Sequence, residues 1–249
     1  MLLGQPTPTP YDLCFNLLGF PVRIHPFFWV VGAILGLRSH DAVALVGWIL
    51  AFTIGILFHE LGHALVVRSY GVRPRITLYG MGGLTSYDAA AARRFSSMQH
   101  ITVSVAGPGA GFLLAATVIA VLGVSTGAWM TIEVGGPRLL AIGGSIAVAS
   151  PLVQYLAYFL VWISVFWGLI NLMPVYPLDG GQIAREVFLL IDPHRGIELS
   201  LWLSVFAGVG LAAYALLAWQ SILMTILFGY LGYSSYATLE AYRGGGSRW

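Results

Sequence analysis

Lysine is absent from this chain, and cysteine nearly so. The single thiol, Cys14, excludes an internal disulfide and any metal site built from several cysteines; it is expected as a small buried apolar residue. Charge is scarce as well. Asp, Glu, Lys and Arg make up 9% of the 249 residues, and all 12 basic ones are arginine. An ordinary soluble domain carries about 25% charged residues. With 58% hydrophobic residues and a mean hydropathy of +0.82, the chain is too apolar to face water all round. A net charge of +2 is too small to argue for a nucleic-acid partner, no basic-aromatic stripe is present, and no such partner is expected. The start, MLLGQPTPTP, lacks a basic segment and breaks its apolar run with prolines, so no cleavable signal peptide is expected.

What remains is apolar length. Each membrane span consumes ~20 residues, so the chain suits an all-α polytopic membrane protein with about six transmembrane helices. Residues 1–19 read as an N-terminal leader, and 20–243 as a single membrane-embedded domain. The expected spans are Pro21–Leu37, Ala42–Val67, Ile101–Val124, Leu152–Leu172, Leu199–Trp219 and Ile222–Ala241, the last two divided by a weak break near Gln220. Between the second and third, Arg75–Tyr87 (RITLYGMGGLTSY) combines β-branched and aromatic residues with central glycines, the mark of a strand or hairpin. Gly180–Ile191 reads as a short amphipathic helix. An even number of spans puts both termini on one side. With that side cytoplasmic, Arg23, Arg68, Arg73, Arg75, Arg93, Arg94, Arg185, Arg195, Arg243 and Arg248 lie inside, and only Arg38 and Arg138 lie outside. This fits the positive-inside rule.

The second span carries His59-Glu60-Leu61-Gly62-His63, an HExxH pattern. Positions i and i+4 share a helix face, so both imidazoles can reach one Zn²⁺, and Glu60, about 100° round the helix, can serve as general base. Ionisable groups inside a span cost about 2.5–3.5 kcal/mol each on insertion scales, so three together need a compensating role. Two histidines leave a catalytic zinc short of a third protein ligand. The downstream carboxylates are Asp88, Glu133, Asp179, Glu186, Asp192, Glu198 and Glu240. Asp179 stands out because it lies in NLMPVYPLDGG, where Pro174 and Pro177 break a helix and Gly180–Gly181 permit a sharp turn. The alternative is that Asp179 merely caps the N-terminus of Gly180–Ile191.

HELGH in an early span, followed by N-x-x-P-x-x-P-L-D-G-G, resembles the site-2 protease family of intramembrane zinc metalloproteases, as do His25-Pro26 and the glycine-bearing strand Gly80–Tyr87. The resemblance implies that His59, His63 and Asp179 ligate zinc and that Glu60 activates water. It implies that Asn171 holds the substrate backbone or the developing oxyanion, against the alternative of a polar helix end. It also implies that the strand around Gly82, Gly83, Leu84 and Thr85 pairs with a locally unwound transmembrane protein substrate, rather than capping the fold at the lipid bilayer surface. Such an enzyme would release a cytoplasmic fragment from a prokaryotic cell membrane. One departure is clear: where the family often shows G-P-x-x-N, this chain reads Gly107-Pro108-Gly109-Ala110-Gly111, whose glycines suit close helix packing instead. No PDZ or CBS module is evident, and any regulatory membrane protein is unknown.

Three other readings compete. A prenyl-protein-processing metalloprotease would take a downstream glutamate as third ligand. A metal transporter would need polar residues on several spans. A catalytically inactive metal-binding scaffold would tolerate replacement of Glu60.

Overall fold

The long apolar runs form helices, as their length dictates. In the computed structural model, which describes residues 6–37, 41–134, 140–144 and 150–245, five helices are long and apolar enough to cross a membrane. They are α2 (Ala42–Ser69), α4 (Ser97–Thr126), α5 (Pro151–Asn171), α7 (Gly196–Leu217) and α8 (Ile222–Gly245). Shorter helices are α1 (Pro26–Gly36), α3 (Ala89–Ala92) and α6 (Asp179–Ile191). The chain is a multi-pass membrane protein. Arg38, Arg138 and Arg248, which enter the charge distribution above, lie outside the described residues.

The expected first span takes a different form. Its start is β2 (Phe20–Ile24), and only Pro26–Gly36 is helical. Eleven residues rise ~16 Å, short of the ~30 Å of hydrocarbon. A four-stranded sheet accounts for the difference. Its order is β1 (Leu13–Leu17), β2, β3 (Arg75–Tyr79), β4 (Gly82–Ser86), with β2 and β3 parallel and the outer pairs antiparallel. Parallel neighbours require a crossover, and α1 and α2 provide it. The expected hairpin at Arg75–Tyr87 is thus β3–β4, while β1 and β2 arise from the leader and the first span. Leu18 and Gly19, at φ 51° and 83°, make the tight β1–β2 turn. Arg68, in the last turn of α2, donates to the Leu18 carbonyl at 2.8 Å and lies over the Phe20 ring.

Cys14 is exposed, contrary to the expectation of burial. It lies on β1, an edge strand whose pattern leaves it on the open face opposite Arg23. Two further strands, β5 (Thr131–Val134) and β6 (Leu140–Gly143), pair within the glycine-rich connection.

The chain forms two compact units. The first comprises Met1–Arg94, Ala106–Glu133 and Leu140–Gly168. Its core sits between sheet and helices: Phe20, Val22 and Ile24 of β2, Ile76 and Leu78 of β3, Phe28 of α1, Phe52 and Ile56 of α2, and Ile163 of α5. The second unit comprises Phe95–Val105, Val134–Leu139 and Leu169–Trp249, and so holds α6, α7 and α8. There Gly208 of α7 and Gly232 of α8 permit close backbone approach: a Cβ at Gly208 would lie 2.8 Å from the Gly232 Cα. Gln220, at φ 50°, is the break that divides α7 from α8.

Candidate active site

HELGH occupies the second half of α2 as ordinary helix, so His59 and His63 stack one turn apart. Their Nε2 atoms are 3.1 Å apart, with ring centroids at 4.8 Å and planes crossing at 77°. His59, Glu60 and His63 are all buried, and a ligand atom from each lies within 4.8 Å of the others. Such burial of three ionisable groups finds a physical reason in a cation. Tetrahedral zinc with nitrogens at ~2.0–2.1 Å spaces its ligands roughly 3.3 Å apart, so the two imidazoles fit that ion.

Glycine shapes the walls. A Cβ at Gly62 would lie 2.8 Å from Ala110 Cβ, so α2 and α4 touch through their smallest residues. A Cβ at Gly107 would overlap the His63 ring and lie 2.8 Å from His59 Nε2. Gly107 therefore admits the imidazoles, and Gly111, whose Cβ would lie 3.0 Å from the Ser164 carbonyl, admits α5. The departure from G-P-x-x-N thus falls at Gly111, where the α5 backbone approaches closely, while Gly107 keeps to the pattern.

The sheet supplies the opposite wall. Gly83 and Thr85, two apart on β4, share a face, and that face meets Glu60. The Thr85 hydroxyl donates to Glu60 Oε2 at 2.7 Å and lies 3.1 Å from the Glu60 carbonyl oxygen. A Cβ at Gly83 would come 2.6 Å from Glu60 Cδ. Gly82, at φ 115°, packs against Trp167 with no room for a side chain. Leu84 pairs with Thr77 across the hairpin, and β4 ends the sheet order. Burial, and secondarily the Glu60 carboxylate, pushes the Tyr79 phenol on β3 above its usual range.

Of the residues singled out by sequence, His59, Glu60, His63, Gly83 and Thr85 come together in the first unit. His25 is the N-cap of α1, accepting from Phe27 N at 3.1 Å, and its own amide donates to the Leu78 carbonyl. Asn171 and Asp179 belong to the second unit, at the end of α5 and the start of α6. The N-cap of α6 is Leu178, so Asp179 stands inside the first turn instead of capping it. Asp179 is buried, and Gly180 and Gly181 fold its turn onto the preceding backbone: their Cβ atoms would lie 2.5 Å from Met173 O and from Val175 C. Sequence reasoning missed the hydroxyl that holds Glu60. The signal was there in the alternation of Gly83 and Thr85 along one strand.

The family model of peptidase family M50 matches residues 47–211. A zinc metalloprotease of Methanocaldococcus jannaschii is 28% identical over 227 residues, covering 88% of this chain and 58% of that protein. Stage IV sporulation protein FB of Bacillus subtilis is 27% identical over 168 residues, 67% of this chain and 47% of that protein. The chain spans about half the length of these curated relatives. Among solved structures, the site-2 protease from Methanocaldococcus jannaschii superposes with a TM-score of 0.58 at 17% identity, over 92% of this chain and 95% of that one, which establishes a shared fold.

Proposed function

The chain belongs to peptidase family M50, and from that premise we propose that it is an intramembrane zinc endopeptidase. It cuts a peptide bond within or near the transmembrane segment of a membrane-protein substrate and releases a cytoplasmic fragment. The observation that carries this reading is the buried His59–Glu60–His63 group on α2, with Glu60 held by Thr85 of an edge strand.

His59, His63 and Asp179 would hold the ion. Zinc there supplies Lewis-acid polarisation of the scissile carbonyl and makes water acidic near neutral pH. Glu60 is the proton carrier: its carboxylate takes a proton from the attacking water and delivers it to the leaving amine. Thr85 fixes which carboxylate oxygen is free, because its hydroxyl engages Oε2. Asn171, a neutral donor at the end of α5, suits the developing oxyanion. A helical substrate hides its carbonyls in its own hydrogen bonds and must unwind before it can be cut. Strand β4 offers a free backbone edge from Gly82 to Ser86 on which an unwound segment can pair. The working unit is residues 20–243, in a prokaryotic cell membrane.

The test is cleavage in proteoliposomes of a single-span substrate by wild type and Glu60→Gln. A fall of about 10³-fold or more is expected, in line with loss of an essential proton carrier, with zinc content unchanged. Equal product from both would leave a metal-binding scaffold as the better reading.

A further inference from the structure

Two buried hydroxyls of the second unit reach beyond their own helices, and neither the HExxH motif nor the P-L-D-G-G motif explains them. Ser204 of α7 is 1% exposed and Ser235 of α8 is 0% exposed. Both reach the backbone of the same residue, one on each side of its Cα. The Tyr176 N–H donates to Ser204 Oγ at 3.0 Å, and Ser235 Oγ donates to the Tyr176 carbonyl at 3.1 Å. Tyr176 precedes Pro177, Leu178 and Asp179, so the clamped residue lies one tight turn upstream of the carboxylate.

We infer that Ser204 and Ser235 are positioning residues that fix the turn carrying Asp179, and thereby set the affinity of the zinc site. This rests on the reading of Asp179 as a zinc ligand.

The hydroxyl inventory supports a dedicated clamp. Ser204 is fully used: its proton goes to the Ser200 carbonyl at 2.9 Å, which leaves its lone pairs for the Tyr176 amide. Ser235 shares its one proton between the Tyr176 carbonyl and the Leu231 carbonyl, the latter at 2.9 Å. Each serine is thus anchored to its own helix one turn back and extends one bond outward. Bonds at both ends of the residue, from two different helices, block rotation of the turn as well as its translation. The clamp is passed on to Asp179 by short links. Leu178 N donates to the Val175 carbonyl at 2.9 Å, Gln182 N donates to the Leu178 carbonyl at 3.0 Å, and Gly181 sits so close to Tyr176 that a Cβ would lie 2.7 Å from its Cα. Asp179 stands between these fixed points. Partners hydrogen-bonded directly to a metal ligand typically carry about 10–100-fold of metal affinity, and a clamp acting through the turn is read against that range.

A merely structural role, satisfying a buried peptide, predicts lower thermal stability with unchanged zinc affinity. The experiment separates the two. The full chain is purified in detergent as wild type, Ser204→Ala, Ser235→Ala, Ser200→Ala and Asp179→Asn, and zinc is titrated in competition with a chromophoric chelator. Ser200 is the control, a buried hydroxyl on α7 that donates within its own helix, to the Ile197 carbonyl. Ser204→Ala and Ser235→Ala are expected to weaken zinc binding about 10–100-fold, and Ser200→Ala to leave it unchanged. Combined with Asp179→Asn, neither serine change should weaken it further. Should an alanine variant not yield folded protein, Ser204→Cys and Ser235→Cys, which keep the volume and weaken the bond, are read by the same criterion. If Asp179→Asn itself leaves zinc affinity unchanged, the ligand reading fails and the inference with it. If Asp179→Asn weakens binding while the serine variants match wild type, or weaken it equally when combined with Asp179→Asn, the clamp is overturned and the ligand reading stands.

Discussion

Glu60 sits at the junction of two kinds of backbone, a helix that presents it and a strand that restrains it. The restraint is one hydrogen bond from Thr85. Thr85→Val keeps the shape and removes the donor, so cleavage is expected to fall about tenfold, the loss of one charge-assisted hydrogen bond of about 1.5 kcal/mol. Thr85→Ser should keep most of the rate. Zinc content should be the same in all three, as metal analysis on the purified proteins would check. At this scale much was legible. HELGH announces its spacing, and helix periodicity does the rest. Thr85 was legible as part of a strand but not as the partner of Glu60, because the two, 25 positions apart, meet only when α2 and the hairpin fold together. The exposure of Cys14 was not legible at all, since it depends on β1 lying at a sheet edge.

Elements are set by composition where they are long and by tertiary pairing where they are short. The helices α2, α4, α5, α7 and α8 follow from apolar length alone, and α6 from its amphipathic pattern. Strands β1 and β2 do not announce themselves, because each is only five residues and β2 finds its inner partner, β3, more than fifty positions away. The β1–β2 hairpin carries its own electrostatic tie. Asp12 accepts from the Thr9 hydroxyl at 2.6 Å, from the Thr9 amide and from Arg23, both at 3.2 Å. The Thr9 hydroxyl foremost, then its amide and the Arg23 charge, hold the Asp12 carboxyl below the usual value of 3.8. A carboxyl depressed in the folded chain stabilises it fully above the unfolded value and loses that contribution as pH falls through the folded one. Asp12→Asn should therefore loosen the hairpin at pH 7, and its difference from wild type should shrink once pH drops below about 3.8 and vanish below the lower folded value. Hydrogen exchange of the β1 and β2 amides measures this directly.

For the whole molecule, scarcity of charge identified a membrane protein, and two motifs more than a hundred residues apart identified its family. The division into two units was not legible, because it cuts through α4 and α5 and follows from packing between distant segments. Nor was the shortness of α1. That helix exposes Phe27, Val30 and Ile34 along a rise of ~16 Å, so a bilayer beside it would meet an apolar belt far below its own thickness. Lipid responds to such hydrophobic mismatch by thinning. A substrate helix passing along that flank would find its ends outside the hydrocarbon, where water competes for its backbone hydrogen bonds and unwinding becomes easier. Cleavage in proteoliposomes should therefore slow as acyl chains lengthen, while cleavage in detergent should show no matching trend. The protein would then act first on the membrane and only afterwards on the peptide.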